Sequence, residues 1–202
     1  LGFDRTGTMI FPSNYTVAPP GSLPGNAVAA FSIRGDGGIE PAFAAAAHEG
    51  PNAILPTGKR QHGHCALVSP DNRTLFVCDL GLDRIMAYET PRKGESLKLA
   101  ATPFTQLPEG AGPRHLTFHP DGKVAYVINE LNCTVSVLDY HPENAAFTIR
   151  QTLTTLPDDF TGTNTCAEIA VSADGRFLYG SNRGHHSIVT YSIGETGGLS
   201  LI

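Results

Sequence analysis

The 202-residue chain has no tryptophan and only two methionines, so any aromatic surface for a ligand must come from its six tyrosines and ten phenylalanines. Charge is sparse as well. Asp, Glu, Lys and Arg make up 16% of the residues, the formal net charge is −5, and no basic run occurs. That excludes the dense cationic surface a nucleic-acid partner requires. No apolar stretch approaches the ~20 residues of a membrane-spanning helix, and no secretory signal pattern opens the chain. The expectation is a cytoplasmic protein with neither membrane nor nucleic-acid partner. Cysteine is confined to Cys65, Cys78, Cys133 and Cys166. None forms a C-x-x-C pair, which argues against a zinc knuckle; they are expected as small core residues. The N-x-[ST] sequons at Asn14, Asn72 and Asn132 read as chance in an intracellular protein. A helical apolar stripe is missing too.

What the chain does have is turns and repetition. Gly (22) and Pro (15) are abundant, and 41% hydrophobic residues are enough for a real core. Three segments align almost without gaps, starting at His64 (HCALVSPDNRTLFVCDLGLDRIMAYE), Arg114 (RHLTFHPDGKVAYVINELNCTVSVLDY) and Ala167 (AEIAVSADGRFLYGSNRGHHSIVTYSI). A weaker fourth copy opens the chain, LGFDRTGTMIFPSNY followed by NAVAAFSI. Between the copies, TVAPPGSLPG and the loop around EGPNAILPTGK read as Pro/Gly-rich surface excursions. Asp71, Asp121 and Asp174 form one column; Asn14, Asp79, Asn129 and Asn182 form another.

Each copy reads as four strands. A short apolar strand, such as His115–Phe118, meets an Asp-Gly or Asp-Asn turn whose second residue accepts positive φ. Strand B follows, for example Ala125–Ile128. Strand C alternates apolar and polar residues, as in Thr134–Leu138, and a more polar outer strand closes the copy, as in Phe147–Leu153; period two argues strand. Four-stranded antiparallel repeats of about 50 residues are propeller blades. The expected fold is an all-β β-propeller, one domain of four blades near 1–55, 56–108, 109–157 and 158–202. The repeats alone allow a closed four-bladed ring or a segment of a larger one.

Propeller topology predicts which residues meet. The start of strand A and the end of strand B lie at one rim, which groups His64, Arg114 and Ala167-Glu168 with Asp79-Leu80, Asn129-Glu130 and Asn182-Arg183, and with Asn14-Tyr15 in the first copy. His64, Arg114, Glu130 and Arg183 then line one funnel. Two arginines, a carboxylate and histidines suit an anionic, oxygen-rich ligand. His64, Arg114 and Glu130 are the candidate catalytic residues, with His64 or Glu130 as general base and Arg114 holding an oxyanion. Arg183, His62, His115, Asn129 and Asn182 are the candidate binding residues, with Asn129 and Asn182 also reading as backbone ties at the strand B exit and His115 as structural. The plainer readings are a structural Arg114–Glu130 ion pair and a backbone-capping His64. Asp71, Asp121 and Asp174 are turn formers. His119 is expected to be structural on the opposite rim, His185 and His186 to sit in a rim loop, and His48 and His141 to be solvated. No metal or other cofactor is expected. A calcium site built from Asp79, Asn129, Glu130 and Asn182 is an alternative, opposed by the two arginines.

The runs GPRHLTFHPDGKVAYVINELN (Gly112–Asn132), HGHCALVSPDNRTLFVCDLGLDRI (His62–Ile85) and VSADGRFLYGSNRG (Val171–Gly184) resemble the lactonase family of seven-bladed propellers. That family includes bacterial 6-phosphogluconolactonase and fungal carboxy-muconate cyclase. The resemblance implies a seven-bladed ring of which this chain is part. It also implies a small anionic sugar lactone as substrate and functional residues at His64, Arg114, Glu130 and Arg183. A lactonizing cycloisomerase and a non-catalytic binding propeller remain alternatives, since the fold hosts unrelated functions.

Overall fold

The computed structural model describes residues 1–15, 27–48 and 60–202; both Pro/Gly-rich insertions lie outside them. The described residues form four antiparallel four-stranded sheets, each strand pairing with the next in sequence. The first sheet holds β1 (Gly2–Phe3), β2 (Met9–Phe11), β3 (Val28–Ser32) and β4 (Ala44–Ala46). The second holds β5 (Gly63–Val68), β6 (Thr74–Asp79), β7 (Arg84–Glu89) and β8 (Lys98–Gln106). In the third are β9 (Pro113–Phe118), β10 (Val124–Asn129), β11 (Thr134–His141) and β12 (Ala146–Thr154). The fourth has β13 (Thr165–Val171), β14 (Phe177–Arg183), β15 (Ser187–Ile193) and β16 (Leu199–Leu201). The first strands of successive sheets lie side by side, as the inner strands of propeller blades do.

The turns explain why the chain folds back where it does. At the first hairpin of every sheet one residue takes positive φ: Gly7, Asn72, Gly122 and Gly175, at 71°, 62°, 73° and 73°. Glycine and asparagine are the residues that reach this region at least cost. The preceding aspartates in the later copies brace the turn. Asp71 accepts a hydrogen bond from the Ser69 hydroxyl, and Asp174 accepts one from Ser172.

A blade is apolar on both faces and is stable only when stacked. Three core clusters accordingly occupy the three seams between four blades. Phe11, Val28, Val77 and Tyr88 meet in the first seam. Phe76, Ile85, Val127 and Phe147 meet in the second; Tyr126, Val135, Leu178 and Tyr191 meet in the third. Buried hydroxyls find partners across the third seam: Tyr126 donates to the Gly197 carbonyl at 2.9 Å and Tyr191 to that of Thr154 at 2.6 Å.

A repeated irregularity marks the start of the inner strands. In β5 the pairing steps from Gly63–Asp79 to Cys65–Cys78, leaving His64 without an opposite residue. In β9 it steps from Asn129–Pro113 to Ile128–His115, leaving Arg114 unpaired. In β13 it steps from Cys166–Asn182 to Ile169–Gly180, so Ala167 and Glu168 oppose Ser181. Bulges of this kind re-aim a side chain. In a regular strand Arg114 and His115 would point to opposite faces; here their side chains touch.

Candidate active site

The mouth is organised around one carboxylate. Glu130 sits in the turn after β10 and is largely buried, with 15% side-chain exposure. Its backbone N–H donates to the Gly112 carbonyl, and its own carbonyl accepts from the Cys166 N–H. It is thus fixed between the strand before it and the next blade. Its Oε1 lies 2.8 Å from Arg183 Nη2 and its Oε2 2.9 Å from Arg114 Nε. Both are ion pairs by distance. The second is close in distance but off the hydrogen-bonding direction of Nε. Each guanidinium is also anchored to backbone across a blade boundary or within its own blade. Arg114 Nη1 donates to the Ala167 carbonyl at 2.8 Å, and Arg183 Nη2 donates to the Cys166 carbonyl at 2.9 Å. Arg114 is mostly buried, whereas Arg183 keeps 48% of its side chain exposed.

Histidines flank the pair. The His64 ring stands edge-on to His115 at 5.0 Å between centroids and to Tyr15 at 5.6 Å. Its Nδ1 is buried with no hydrogen-bond partner. Burial first, then the Arg114 charge, push its pKa down to about 4; His64 is therefore neutral at pH 7. His115 Nδ1 is 2.8 Å from Glu168 Oε1, and its Nε2 is 3.3 Å from Arg114 Nη1. His62 sits one step outward. Its Nδ1 bonds the Tyr15 carbonyl at 2.7 Å and its ring lies 4.9 Å from the Tyr15 ring.

The structure therefore brings together His64, Arg114, His115, Glu130 and Arg183, with His62 linked to them through Tyr15. It does not bring Asn129 and Asn182 to the mouth. Both are buried and spend their amides inside the blades. Asn129 donates to the Thr134 and Ser136 hydroxyls. Asn182 donates to the Thr155 carbonyl and accepts from Thr155 and Asn164. Through these bonds they secure the strand ends that carry Glu130 and Arg183. Asp79 is the same column in the second blade and takes the N–H groups of His62, Gly81 and Leu82 on one oxygen. With these three residues turned into separate blades, the calcium arrangement does not form. Among the described residues no group of three or more His, Cys, Asp or Glu is placed to hold a metal ion.

His48 departs from its expected solvated position. Its side chain is fully buried and its Nδ1 bonds the second oxygen of Asp79. The fold closes over an Asp that the sequence shows only as one member of an Asn column, and the imidazole supplies its partner. His119 bonds the Gly175 carbonyl at 3.1 Å, tying the far rim of the third blade to the fourth. Glu168 and Tyr15 are the mouth residues that the repeat alignment places at the rim without giving them a role.

The described residues thus form a four-bladed stretch of propeller whose mouth holds an Arg–Glu–Arg clamp beside a neutral histidine. The chain belongs to the lactonase family of seven-bladed β-propellers, whose family description matches residues 1–202. It is similar to the 6-phosphogluconolactonase of Bacillus subtilis, 35% identical over 168 residues, covering 83% of this chain and 47% of the relative. The 6-phosphogluconolactonase of an Enterobacter strain is 42% identical over 139 residues, or 69% of this chain and 42% of the relative. Among solved structures, the periplasmic gluconolactonase PpgL of Pseudomonas aeruginosa superposes with a TM-score of 0.86 at 33% identity, over 99% of this chain and 54% of that one. The chain thus spans about half the length of its relatives. No helix among the described residues is long and apolar enough to cross a membrane.

Proposed function

We propose that this chain carries the reacting mouth of a sugar-lactone hydrolase whose substrate is 6-phosphogluconolactone, opened to 6-phosphogluconate without a metal. The observation that carries the reading is the clamp: one largely buried carboxylate holds two guanidinium groups side by side at a rim where His64 is neutral. Relatives named 6-phosphogluconolactonase support the same substrate class.

Hydrolysis of a lactone needs a water deprotonated as it attacks C1, a donor for the oxyanion that forms there, and a proton for the ring oxygen when the C1–O bond breaks. Arg114 is held in place from three sides and is the preorganised donor for the oxyanion. Arg183 is anchored through one nitrogen, and its guanidinium fork suits the oxygens of a phosphate. Glu130 has both oxygens engaged by arginine. We therefore assign it to holding the clamp, and the water's proton goes to a neutral imidazole of the mouth. A cytoplasmic location is part of the proposal, since four free thiols suit a reducing compartment.

The test compares 6-phosphogluconolactone with gluconolactone at neutral pH, each corrected for spontaneous opening. The reading expects the phosphorylated lactone to have the lower KM in the parent and the preference to collapse in Arg183→Ala. A preference unchanged by Arg183→Ala would remove the phosphate role.

A further inference from the structure

The mouth holds two histidines, and their surroundings differ. His64 has an unpartnered buried nitrogen and is neutral because proton binding is made costly, which also makes it a weak base. His115 is held at both nitrogens. Its Nδ1 faces a carboxylate oxygen at 2.8 Å, and a carboxylate only accepts. Its Nε2 faces a guanidinium nitrogen at 3.3 Å, and guanidinium only donates. Both contacts demand one tautomer, with the proton on Nδ1 and the lone pair on Nε2. The carboxylate is itself fixed: Glu168 Oε1 also accepts the Ile169 N–H at 2.9 Å, and the Glu168 N–H donates to the Ser181 hydroxyl at 2.8 Å. The bulge in β13 is what turns Glu168 toward the neighbouring blade.

We propose that Glu168 is a positioning residue that holds His115 in its Nδ1–H tautomer, so that His115 Nε2 takes the proton from the attacking water. This rests on the hydrolase reading above. Water oxygen bonds to C1 while one of its protons passes to Nε2. The carbonyl π pair moves onto oxygen beside Arg114. The pair then returns, the C1–O ring bond breaks, and the ring oxygen takes the proton back from His115. The products are a hydroxyl and a carboxylic acid that ionises in water, and His115 is neutral again. The long 3.3 Å contact from Arg114 Nη1 is the one that yields when water enters; the shorter bond from the same nitrogen to Ala167 keeps the guanidinium in place. The charged and titratable groups facing His115 are His64 and Cys65 from β5, Arg114 beside it with Glu130 beyond, and Glu168 from β13.

The experiment uses the full chain with Glu168→Gln, Glu168→Ala and His115→Gln, each checked for an unchanged urea midpoint. A carboxylate that orients a metal-bound histidine is worth about 10- to 100-fold, which sets the scale for one that orients a free histidine. Glu168 keeps 64% side-chain exposure, which places it at the lower end, so about a tenfold fall in kcat on 6-phosphogluconolactone is expected for Glu168→Gln, with KM nearly unchanged. Nitrogen-15 spectra of the parent at neutral pH should show His115 protonated on Nδ1. A parent that hydrolyses the lactone while Glu168→Gln and Glu168→Ala keep its kcat overturns the role, as does His115 protonated on Nε2. A folded parent that hydrolyses no lactone overturns the hydrolase reading and this role with it.

Discussion

Tyr126 in the third blade and Tyr179 in the fourth occupy the same position of strand B, yet one is fully buried and the other 38% exposed. The difference runs along the whole strand. All six residues of β10 are buried, as are all six of β6, whereas β14 alternates between buried and exposed. The same residue type at the same place in a repeat contributes to stability only through the neighbour stacked on it. The mouth shows a parallel contrast: Arg114 of the third blade is mostly buried and held on several sides, and Arg183 of the fourth is half-exposed with one nitrogen anchored.

The largest test of this contrast is in the seams. Tyr126→Ala should cost about 3–5 kcal/mol, the usual range for deleting a buried aromatic, with the Gly197 carbonyl losing its donor as well. Tyr179→Ala should cost well under half of that. Urea midpoints of the two variants check it, and equal losses would break the account of stacking. At the mouth, Arg114→Ala should lower kcat by about 10²–10³-fold, as for removal of an oxyanion donor. Arg183→Ala should chiefly raise KM, by about 10- to 100-fold if a charge-assisted hydrogen bond of roughly 1.5–3 kcal/mol is lost. Steady-state kinetics separate the two, and the same kcat–KM split for both would erase the distinction between the blades.

The smallest effect concerns pH. His64 binds a proton near pH 4 when folded and near its ordinary 6.5 when unfolded. Between those values the unfolded state holds more protons, so stability falls as pH is lowered through that window. The stability of the neutral form is fully present above about 6.5. His64→Gln should flatten that part of the curve, measured as urea midpoints between pH 7.5 and 4.5; an unchanged slope would place the depression elsewhere.

The blades were readable because strands announce themselves by period two and turns by Asp-Gly and Asp-Asn, and each signal recurs in register. The convergence of His64, Arg114, Glu130 and Arg183 was readable for a related reason: topology alone places the A start beside the B end. The bulges at His64, Arg114 and Ala167-Glu168 were not, because an unpaired residue leaves the apolar spacing of the strand intact. That is why Glu168 looked like a mere rim neighbour while its contact with His115 depends on register. Asn129 and Asn182 carried two readings, binding residue or strand-exit tie, for another reason. A polar residue at a strand exit can face the channel or the blade, and only the positions of Thr134, Ser136 and Thr155 decide between them. His48 was unreadable because its partner, Asp79, lies in the next blade.

The most direct test of the central claim is the rate of 6-phosphogluconolactone opening, above the spontaneous rate, for the parent chain and for the His64→Ala, Arg114→Ala double variant. The account expects catalysis by the parent that disappears in a double variant with unchanged secondary structure. A folded parent that opens the lactone no faster than buffer, or a double variant as fast as the parent, would contradict it.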